Sequence, residues 1–199
     1  MKGRDSGMPD ETQWAGFFDA DAALLALWGS GLVWGDVVEF GCGYGTFTLP
    51  AARRTNGIVT ALDIEPEMVR EVTTKAAEQH LKNIRAKVRD FVANGTGLAD
   101  GSQHHAMIFN LLHLEDPVKL LREALRTLQP GGTLTVIHWR SDIPTPRGPP
   151  LSIRPRPDQC AEWIEHAGFS GTAAVDLRSS CPFHFGLVSR RPSMGGIRS

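Results

Sequence analysis

A short apolar run that ends in closely spaced glycines constrains the fold of this chain more than any other feature. Residues 37–40, Val-Val-Glu-Phe, are followed at once by Gly41, Gly43 and Gly45. Glycine adopts backbone conformations that a Cβ would forbid, and it lets the main chain approach a ligand closely. The pattern therefore predicts a buried strand, a tight ligand-binding turn and a helix that begins near Thr46.

Apolar strands alternate with helical patterns along the rest of the chain. Further strands are predicted at residues 58–64, 84–88, 105–110 and 134–139, and helices at residues 11–28, 46–54, 66–81, 117–128 and 158–167. Strands separated by helices of this length form parallel sheets that helices cover on both faces. Two final strands, at residues 175–177 and 183–188, have no helix between them, so we expect them to pair antiparallel at one edge. The sequence predicts an α/β fold with a mostly parallel seven-stranded sheet and a C-terminal antiparallel hairpin.

Composition narrows the class of protein. Hydrophobic residues make up 41% of the 199 residues, which is enough for a packed core and argues against a disordered or collagen-like chain. A formal net charge of −1 argues against a nucleic-acid binder that works through a global basic field. The three cysteines lie far apart, at Cys42, Cys160 and Cys181, which indicates neither a disulfide framework nor a zinc module. We see no signal segment and no apolar run of about 18 residues, so we expect a cytoplasmic protein with no membrane partner.

A second acidic residue follows the first motif. Asp63 ends the strand predicted at residues 58–64, about 20 residues beyond the glycine turn. A carboxylate at the tip of this neighbouring strand accepts hydrogen bonds from both hydroxyls of a ribose. Dinucleotide-binding enzymes share that layout, but their glycine pattern is G-x-G-x-x-G, and here Gly45 comes one position early. Glu39 also suits a positively charged ligand better than it suits a pyrophosphate.

At this point the sequence resembles the class I S-adenosylmethionine-dependent methyltransferases, over roughly residues 37–139. The resemblance is carried, in order, by residues 39–45, Asp63, residues 89–91, residues 109–113 and residues 128–132. It implies a Rossmann-like three-layer sandwich, S-adenosylmethionine as cofactor, S-adenosylhomocysteine as product, a small-molecule acceptor and no metal. One departure is the His104-His105 pair, where the family often begins its fourth strand with an aspartate. The signatures of adenine-amino and cytosine methylation are absent.

The resemblance implies a set of cofactor-binding residues. Glu39 would hold the cationic methionine end, Asp63 the ribose and Asp90 the adenine amine. The full predicted set is Glu39, Gly41, Cys42, Gly43, Gly45, Asp63, Ile64, Asp90, Phe91 and Asn110.

Candidate catalytic and acceptor-pocket residues come from the predicted sheet edge and the N-terminal helix. His113 and His138 follow or end predicted strands at the rim where parallel sheets bind ligands, so each is a candidate base, with a purely structural histidine as the alternative. The predicted pocket residues are Trp14, Phe17, Phe18 and Trp139. The first three form either a mobile lid or a fixed part of the core.

One domain is expected. We predict a flexible leader at residues 1–10, a methyltransferase domain at 11–189 and a disordered tail at 190–199. Within the domain, residues 11–35 form the N-terminal helix or lid, 36–139 the cofactor-binding core, and 140–189 the acceptor side. A basic excess in residues 140–199 is either solvated surface and tail or a local anion site for substrate. It is carried by Arg140, Arg147, Arg154, Arg156, Arg190, Arg191 and Arg198. Two other functions stay open, a non-catalytic S-adenosylmethionine-binding sensor or partner subunit and a nicotinamide-dependent oxidoreductase, and no motif indicates an oligomeric state.

Overall fold

A computed structural model describes residues 10–193. The strands are β1 (Val37–Phe40), β2 (Val59–Asp63), β3 (Ile84–Val88), β4 (Gln103–Phe109), β5 (Leu128–Trp139), β6 (Ser170–Val175) and β7 (His184–Arg190). The helices are α1 (Glu11–Ala15), α2 (Ala20–Trp28), α3 (Thr48–Arg54), α4 (Pro66–Glu78), α5 (Phe91–Asn94), α6 (Pro117–Thr127) and α7 (Pro157–His166). The leader predicted at residues 1–10 lies outside the described residues except for Asp10, and so does the part of the predicted tail at residues 194–199.

The strands form one seven-stranded sheet in the order β3-β2-β1-β4-β5-β7-β6. The first five strands pair parallel, and β7 pairs antiparallel with both β5 and β6. The predicted fold class is therefore confirmed. The chain runs from β1 outward to β3 and then returns to the other side of β1 with β4. This reversal opens a crevice at the carboxyl ends of β1 and β4, where sheets of this kind bind ligands.

Helices cover both faces of the sheet because the central strands are apolar on both sides. Val37 points into the cluster that packs against α2 and α3, whereas its neighbour Val38 points into the cluster that packs against α6 and α7. Alternation of side chains along a strand produces this division. Every residue of β1 and β2 is buried, as expected for the centre of a covered parallel sheet.

The N-terminal helical pattern is interrupted in the structure. In place of one helix over residues 11–28, α1 ends at Ala15, and α2 begins after Asp19. The cause is local, because the Asp19 carboxylate accepts a hydrogen bond from the Ala22 amide at 3.0 Å and caps a new helix.

The C-terminal prediction needs two corrections. The strand predicted at residues 175–177 is instead β6, Ser170–Val175, an edge strand whose side chains are mostly exposed and therefore carry little hydrophobic signal. The predicted tail boundary also falls inside β7, which continues through Arg190. Beyond it, the Arg191 amide donates to the Gly132 carbonyl at 2.8 Å, and its guanidinium donates to the Leu125 carbonyl at 3.0 Å.

Between residues 10 and 193, the structure contains no helix with the length and apolar character needed to cross a membrane.

Candidate functional site

A cavity of about 1380 Å³ opens at the carboxyl edge of the parallel strands. Residues from the ends of β1, β2, β4 and β5 line it, together with the segments after β3 and β4 and part of the loop between β5 and α7. Twelve of the sixteen predicted site residues line this cavity, and the structure brings them together from positions 14 to 139: Trp14, Glu39, Gly41, Cys42, Gly43, Asp63, Ile64, Asp90, Phe91, Asn110, His113 and Trp139.

The glycine turn follows β1 directly. Gly41, Gly43 and Gly45 all have positive φ angles, of 75°, 49° and 82°, which other residues rarely adopt. The Gly41 and Cys42 amides both donate to the Leu62 carbonyl, at 2.8 and 2.9 Å, so the turn is tied to β2. Gly45 does not line the cavity, because it packs against α4: a Cβ there would lie 3.1 Å from a methyl group of Val72.

Asp63 ties the glycine turn to the end of β2. Its Oδ2 accepts the Gly43 amide at 2.8 Å, and its Oδ1 accepts the Glu65 amide at 3.0 Å. Burial raises the pKa of this carboxyl above its ordinary value, and the two amide bonds oppose that effect. Each oxygen keeps a second lone pair, because a carboxylate can accept about four hydrogen bonds. Asp63 can therefore shape the turn and accept bonds from a ligand in the cavity.

Glu39 is a buried carboxyl group beside the same turn. Its side chain is almost inaccessible to solvent, and its Oε2 accepts a short hydrogen bond from the Thr48 hydroxyl. Burial raises the pKa of Glu39 to about 8; the Thr48 bond lowers it, and the nearby Asp63 charge raises it. In the part of the chain that the structure describes, no basic side chain forms a salt bridge with Glu39. Its environment suits a ligand that brings its own positive charge.

The far end of the cavity lies beyond β3. Asp90 caps the short helix α5 by accepting the Ala93 amide at 2.9 Å, and Phe91 packs edge-on against Phe40 with ring centroids 5.3 Å apart. Ile64 is half-buried on the β2 side of the same space. This end offers a carboxylate and apolar side chains to a flat ring.

The end of β4 carries a strained asparagine. Asn110 has a φ of 59°, and its Nδ2 lies 3.4 Å from Nε2 of His184. Its Oδ1 is buried without a hydrogen-bond partner in the described structure. Non-glycine residues in this conformation cluster at ligand sites, so Asn110 is a candidate donor or acceptor for a bound molecule.

The two candidate catalytic histidines lie side by side. His113 Nδ1 is 3.3 Å from His138 Nε2, and His138 Nδ1 is 3.2 Å from the Trp139 carbonyl. Burial and the Arg154 charge lower the pKa of His113, and burial lowers the pKa of His138 to about 3. His138 is fully buried and does not line the cavity, because strand alternation turns it away when Trp139 faces the cavity.

Aromatic side chains form another wall of the cavity. Trp14 and Trp139 both line the cavity, with ring centroids 6.3 Å apart. Phe17 and Phe18 pack behind this wall and do not line it: Phe17 lies 5.5 Å from Trp139, and Phe18 lies 4.6 Å from the His184 ring. Both alternatives for residues 14–18, a mobile lid and a fixed part of the core, stay predictions.

Sequence reasoning missed the residue that organises the loop after β5. The Arg154 guanidinium donates to the carbonyls of Pro149, Arg140 and Arg147 at 2.7, 3.0 and 3.0 Å, and it lies 5.7 Å from the centre of the Trp139 ring. The excess of arginines in this region indicated that they matter, but it did not predict that Arg154 holds the loop together. Two other arginines there pair with nearby aspartates, Arg140 with Asp142 and Arg156 with Asp158. Cavity residues outside the predicted set of site residues include Thr46, Phe47, Arg89, Phe109, Leu111, Arg147, Pro149, Pro150 and Ile153.

Comparison with known proteins gives consistent matches. Residues 37–132 match a family model described as a methyltransferase domain. The chain is 32% identical over 105 residues to aklanonic acid methyltransferase from Streptomyces sp. strain C5, which covers 49% of this chain and 45% of that protein. It is 33% identical over 118 residues to a ubiquinone biosynthesis O-methyltransferase from Xanthomonas campestris pv. campestris strain B100, which covers 58% of this chain and 46% of that protein. The chain thus spans less than half the length of these two curated relatives.

A solved structure extends the likeness to almost the whole fold. The crystal structure of a SAM-dependent methyltransferase from Aquifex aeolicus superposes with a TM-score of 0.75 at 23% identity, covering 92% of this chain and 94% of that one. The likeness concerns the fold, and the family model covers the segment that carries the glycine turn, Asp63 and Asp90. Residues 37–132 therefore match the methyltransferase-domain family, and the chain has the fold of the class I S-adenosylmethionine-dependent methyltransferases.

Proposed function

We propose that this protein transfers a methyl group from S-adenosylmethionine to a small hydroxylated aromatic molecule. One observation carries the proposal: the family's motif residues, Glu39, Asp63 and Asp90, meet around one cavity beside the glycine turn. Glu39 and Asp63, the two carboxyl groups nearest to the turn, make this part of the cavity acidic. That environment suits a ligand with an ammonium and a sulfonium better than it suits a pyrophosphate.

The residues around the cavity fit this cofactor group by group. Glu39, buried without a basic partner, would accept hydrogen bonds from the ammonium of the methionine end. Asp63 keeps lone pairs for the two ribose hydroxyls, and Asp90 would accept the adenine amine. Ile64 and Phe91 would lie against the adenine faces. Gly41, Cys42, Gly43 and Asn110 complete the set at the end of the cavity nearest the methionine.

When bound, S-adenosylmethionine supplies an activated methyl group on a sulfonium. The protein then has to align the acceptor, exclude water and receive the acceptor's proton. Trp14 and Trp139 would hold a flat apolar ring, and the loop at residues 147–153 would close over it. His113 lines the cavity and would take the proton.

Two considerations favour a hydroxylated aromatic acceptor. The acceptor side of the cavity is walled by tryptophan, proline and isoleucine side chains, which suit a flat apolar molecule. A phenol has a pKa of about 10, which is low enough for a neutral histidine to assist its ionisation in the transition state. One of the two curated relatives is named as an O-methyltransferase of ubiquinone biosynthesis, which supports an oxygen atom as the acceptor.

Calorimetry on the full chain tests the cofactor part of this proposal. We expect S-adenosylmethionine and S-adenosylhomocysteine to bind, and NAD not to bind. Asp63→Asn should weaken binding by about 1.5–3 kcal/mol, because it removes charge-assisted hydrogen bonds. Glu67→Gln is the matched control, since Glu67 is an exposed carboxylate on α4. NAD binding without S-adenosylmethionine binding would refute the proposal.

A panel of phenols, aryl carboxylates and amines then tests the acceptor. Production of S-adenosylhomocysteine is measured for each compound. Turnover confined to phenols supports the proposal, and turnover confined to amines contradicts the acceptor class. Tight cofactor binding with no turnover of any compound would favour a non-catalytic sensor or partner subunit.

A further inference from the structure

A fully buried histidine lies behind the cavity and has no role in the function described above. His138 lies on β5, fully buried, with its ring 6.0 Å from the Phe185 ring on β7. Both of its ring nitrogens have partners: Nδ1 faces the Trp139 carbonyl at 3.2 Å, and Nε2 faces Nδ1 of His113 at 3.3 Å. A buried polar ring with both nitrogens engaged has a defined protonation pattern.

That pattern follows from the partners. A carbonyl oxygen can only accept, so Nδ1 of His138 must carry a proton and donate it to Trp139. The pKa of His138 lies far below neutrality, so the ring is neutral and its Nε2 has a lone pair that accepts. His113 must then donate through Nδ1–H. A neutral His113 with its proton on Nδ1 has an unprotonated Nε2 on the side of the ring away from His138, and His113 lines the cavity.

We propose that His138 is a positioning residue, which holds His113 in the Nδ1–H tautomer so that Nε2 of His113 receives the acceptor's proton. This inference rests on the proposed methyl transfer. The acceptor's O–H bond breaks, its proton passes to Nε2, and the electron pair stays on oxygen to form the new bond to carbon. The carbon–sulfur bond breaks, and its electron pair stays on sulfur. As His113 becomes positive, its Nδ1–H bond to the neutral His138 becomes charge-assisted and stronger.

Burial favours the neutral form of both rings before the reaction. It lowers the pKa of His113 and of His138, and the Arg154 charge acts in the same direction. His184 on β7 lies near His138, and burial lowers its pKa as well. On the same loop as His113, Glu115 and Asp116 also line the cavity. A neutral pair with one fixed tautomer presents the cavity with a base.

Nitrogen-15 NMR of histidine-labelled full-length protein tests the inference without any acceptor. Long-range proton–nitrogen correlations report which nitrogen of each ring carries the proton, and loss of a signal set in His113→Asn assigns His113. We expect wild-type His113 to be protonated at Nδ1. His138→Gln, which places an amide oxygen near the position of Nε2, should preserve that tautomer. His138→Phe, which removes the acceptor, should shift His113 toward the Nε2–H form. His166→Gln is the control, because His166 is exposed on α7.

Kinetics give the second measurement once an acceptor is in hand. His138→Phe should lower kcat by up to about 100-fold, which is the lower end of general-base effects, with little change in KM. His138→Gln should restore most of that loss, and His166→Gln should change nothing. S-adenosylhomocysteine binding should be the same in all four proteins, because none of these residues belongs to the cofactor set.

The outcomes separate this inference from the proposed function. Wild-type His113 protonated at Nε2 would overturn the inference even if S-adenosylhomocysteine binds and phenols turn over. Equal kcat in wild type and His138→Phe would also overturn it. Failure of the wild type to bind S-adenosylhomocysteine would refute the proposed function, whichever tautomer His113 adopts. If His138→Phe does not fold, the wild-type tautomer and the His138→Gln kinetics still decide the question.

Discussion

Cofactor affinity should depend steeply on pH, because Glu39 is buried next to the place where we propose a cation binds. Burial raises the pKa of Glu39 to about 8 in the protein alone. A bound ammonium favours the carboxylate and lowers that pKa. Below pH 8, binding therefore expels a proton from Glu39, and each pH unit further down should weaken the affinity about tenfold, or about 1.4 kcal/mol.

The interval from pH 6 to pH 7 isolates this effect. An α-amino group titrates near pH 7.7–8.0, about one unit above this interval, so the cofactor's own ammonium stays mostly protonated. His138, whose pKa burial lowers to about 3, stays neutral across this interval, and burial also lowers the pKa of His113. We expect the dissociation constant of S-adenosylmethionine to fall about tenfold from pH 6 to pH 7, with release of about one proton per molecule bound. Calorimetry in two buffers of different ionisation enthalpy measures both quantities.

Glu39→Gln is the matched variant, since it keeps the shape of the side chain and cannot ionise. It should bind more weakly at pH 7.5 and show neither the pH slope nor the proton release. Thr48→Val should move the slope to higher pH, because the Thr48 hydroxyl lowers the pKa of Glu39. A flat wild-type affinity between pH 6 and 7 would refute the reasoning, and so would an unchanged slope in Glu39→Gln.

The same carboxyl group affects the stability of the empty protein. Its folded pKa, about 8, lies above the ordinary value of 4.5, so between these values the folded state holds a proton that the unfolded chain has lost. The free energy of unfolding should therefore fall as pH rises from about 4.5 toward 8. Glu39→Gln should remove this decline.

Two further predictions concern the N-terminal wall and the network behind the loop at residues 95–100. Phe17→Ala should lower the free energy of unfolding by about 3–5 kcal/mol, as for other buried phenylalanines. Trp14→Ala should lower acceptor turnover with a smaller loss of stability. Denaturant unfolding measures the stability and a turnover assay the activity, and a larger loss of stability in Trp14→Ala than in Phe17→Ala would contradict these roles. Hydrogen bonds from Arg126 and Thr96 hold the pKa of Glu123 at about 2, below its ordinary value. The ionised carboxylate therefore adds to the free energy of unfolding above pH 4.5, and this contribution is lost as pH falls toward 2. Glu123→Gln should lower the free energy of unfolding by about 1–3 kcal/mol at pH 7 and by less at pH 3; an equal loss at both pH values would contradict the assignment.

The sheet was predictable where burial leaves a mark on the sequence. The strands β1, β2 and β4 are mostly buried, and their apolar residues mark them in the sequence. The edge strand β3 is mostly exposed, but Asp90 follows it closely, and it was predicted with its observed ends. The strand β6 was misplaced because an edge strand of serine, glycine, threonine and alanine has no apolar period. The division of the N-terminal segment was missed because Asp19 reads as one polar residue in a helical pattern, and only its bond to the Ala22 amide makes it a cap.

The candidate site was predictable to the extent that it lies at strand ends. Strand ends in a parallel sheet meet at one edge, so the order of motifs alone placed Glu39, Asp63 and Asp90 around one cavity. The contact between His113 and His138 was not predictable, because it joins a loop after β4 to the interior of β5, 25 residues away. Each histidine was a candidate base by itself. Only two distances in the structure separate their proposed roles: the one between the two rings, and the one from His138 to the Trp139 carbonyl. They distinguish His113, which lies in the cavity, from His138, which orients it.

The placement of these residues also divides the cavity by strand. β1, β2 and the segment after β3 supply the acidic groups proposed for the cofactor, whereas the loop after β4, the end of β5 and the loop held by Arg154 supply the aromatic wall and the histidine pair. Arg154 contacts only the second group: it donates to three loop carbonyls, lies over Trp139 and lowers the pKa of His113. Because no described hydrogen bond joins Arg154 to Glu39, Asp63 or Asp90, the loop can change its shape without disturbing them. Substitutions in residues 140–154 should therefore change acceptor choice without changing the cofactor binding that depends on Glu39, Asp63 and Asp90.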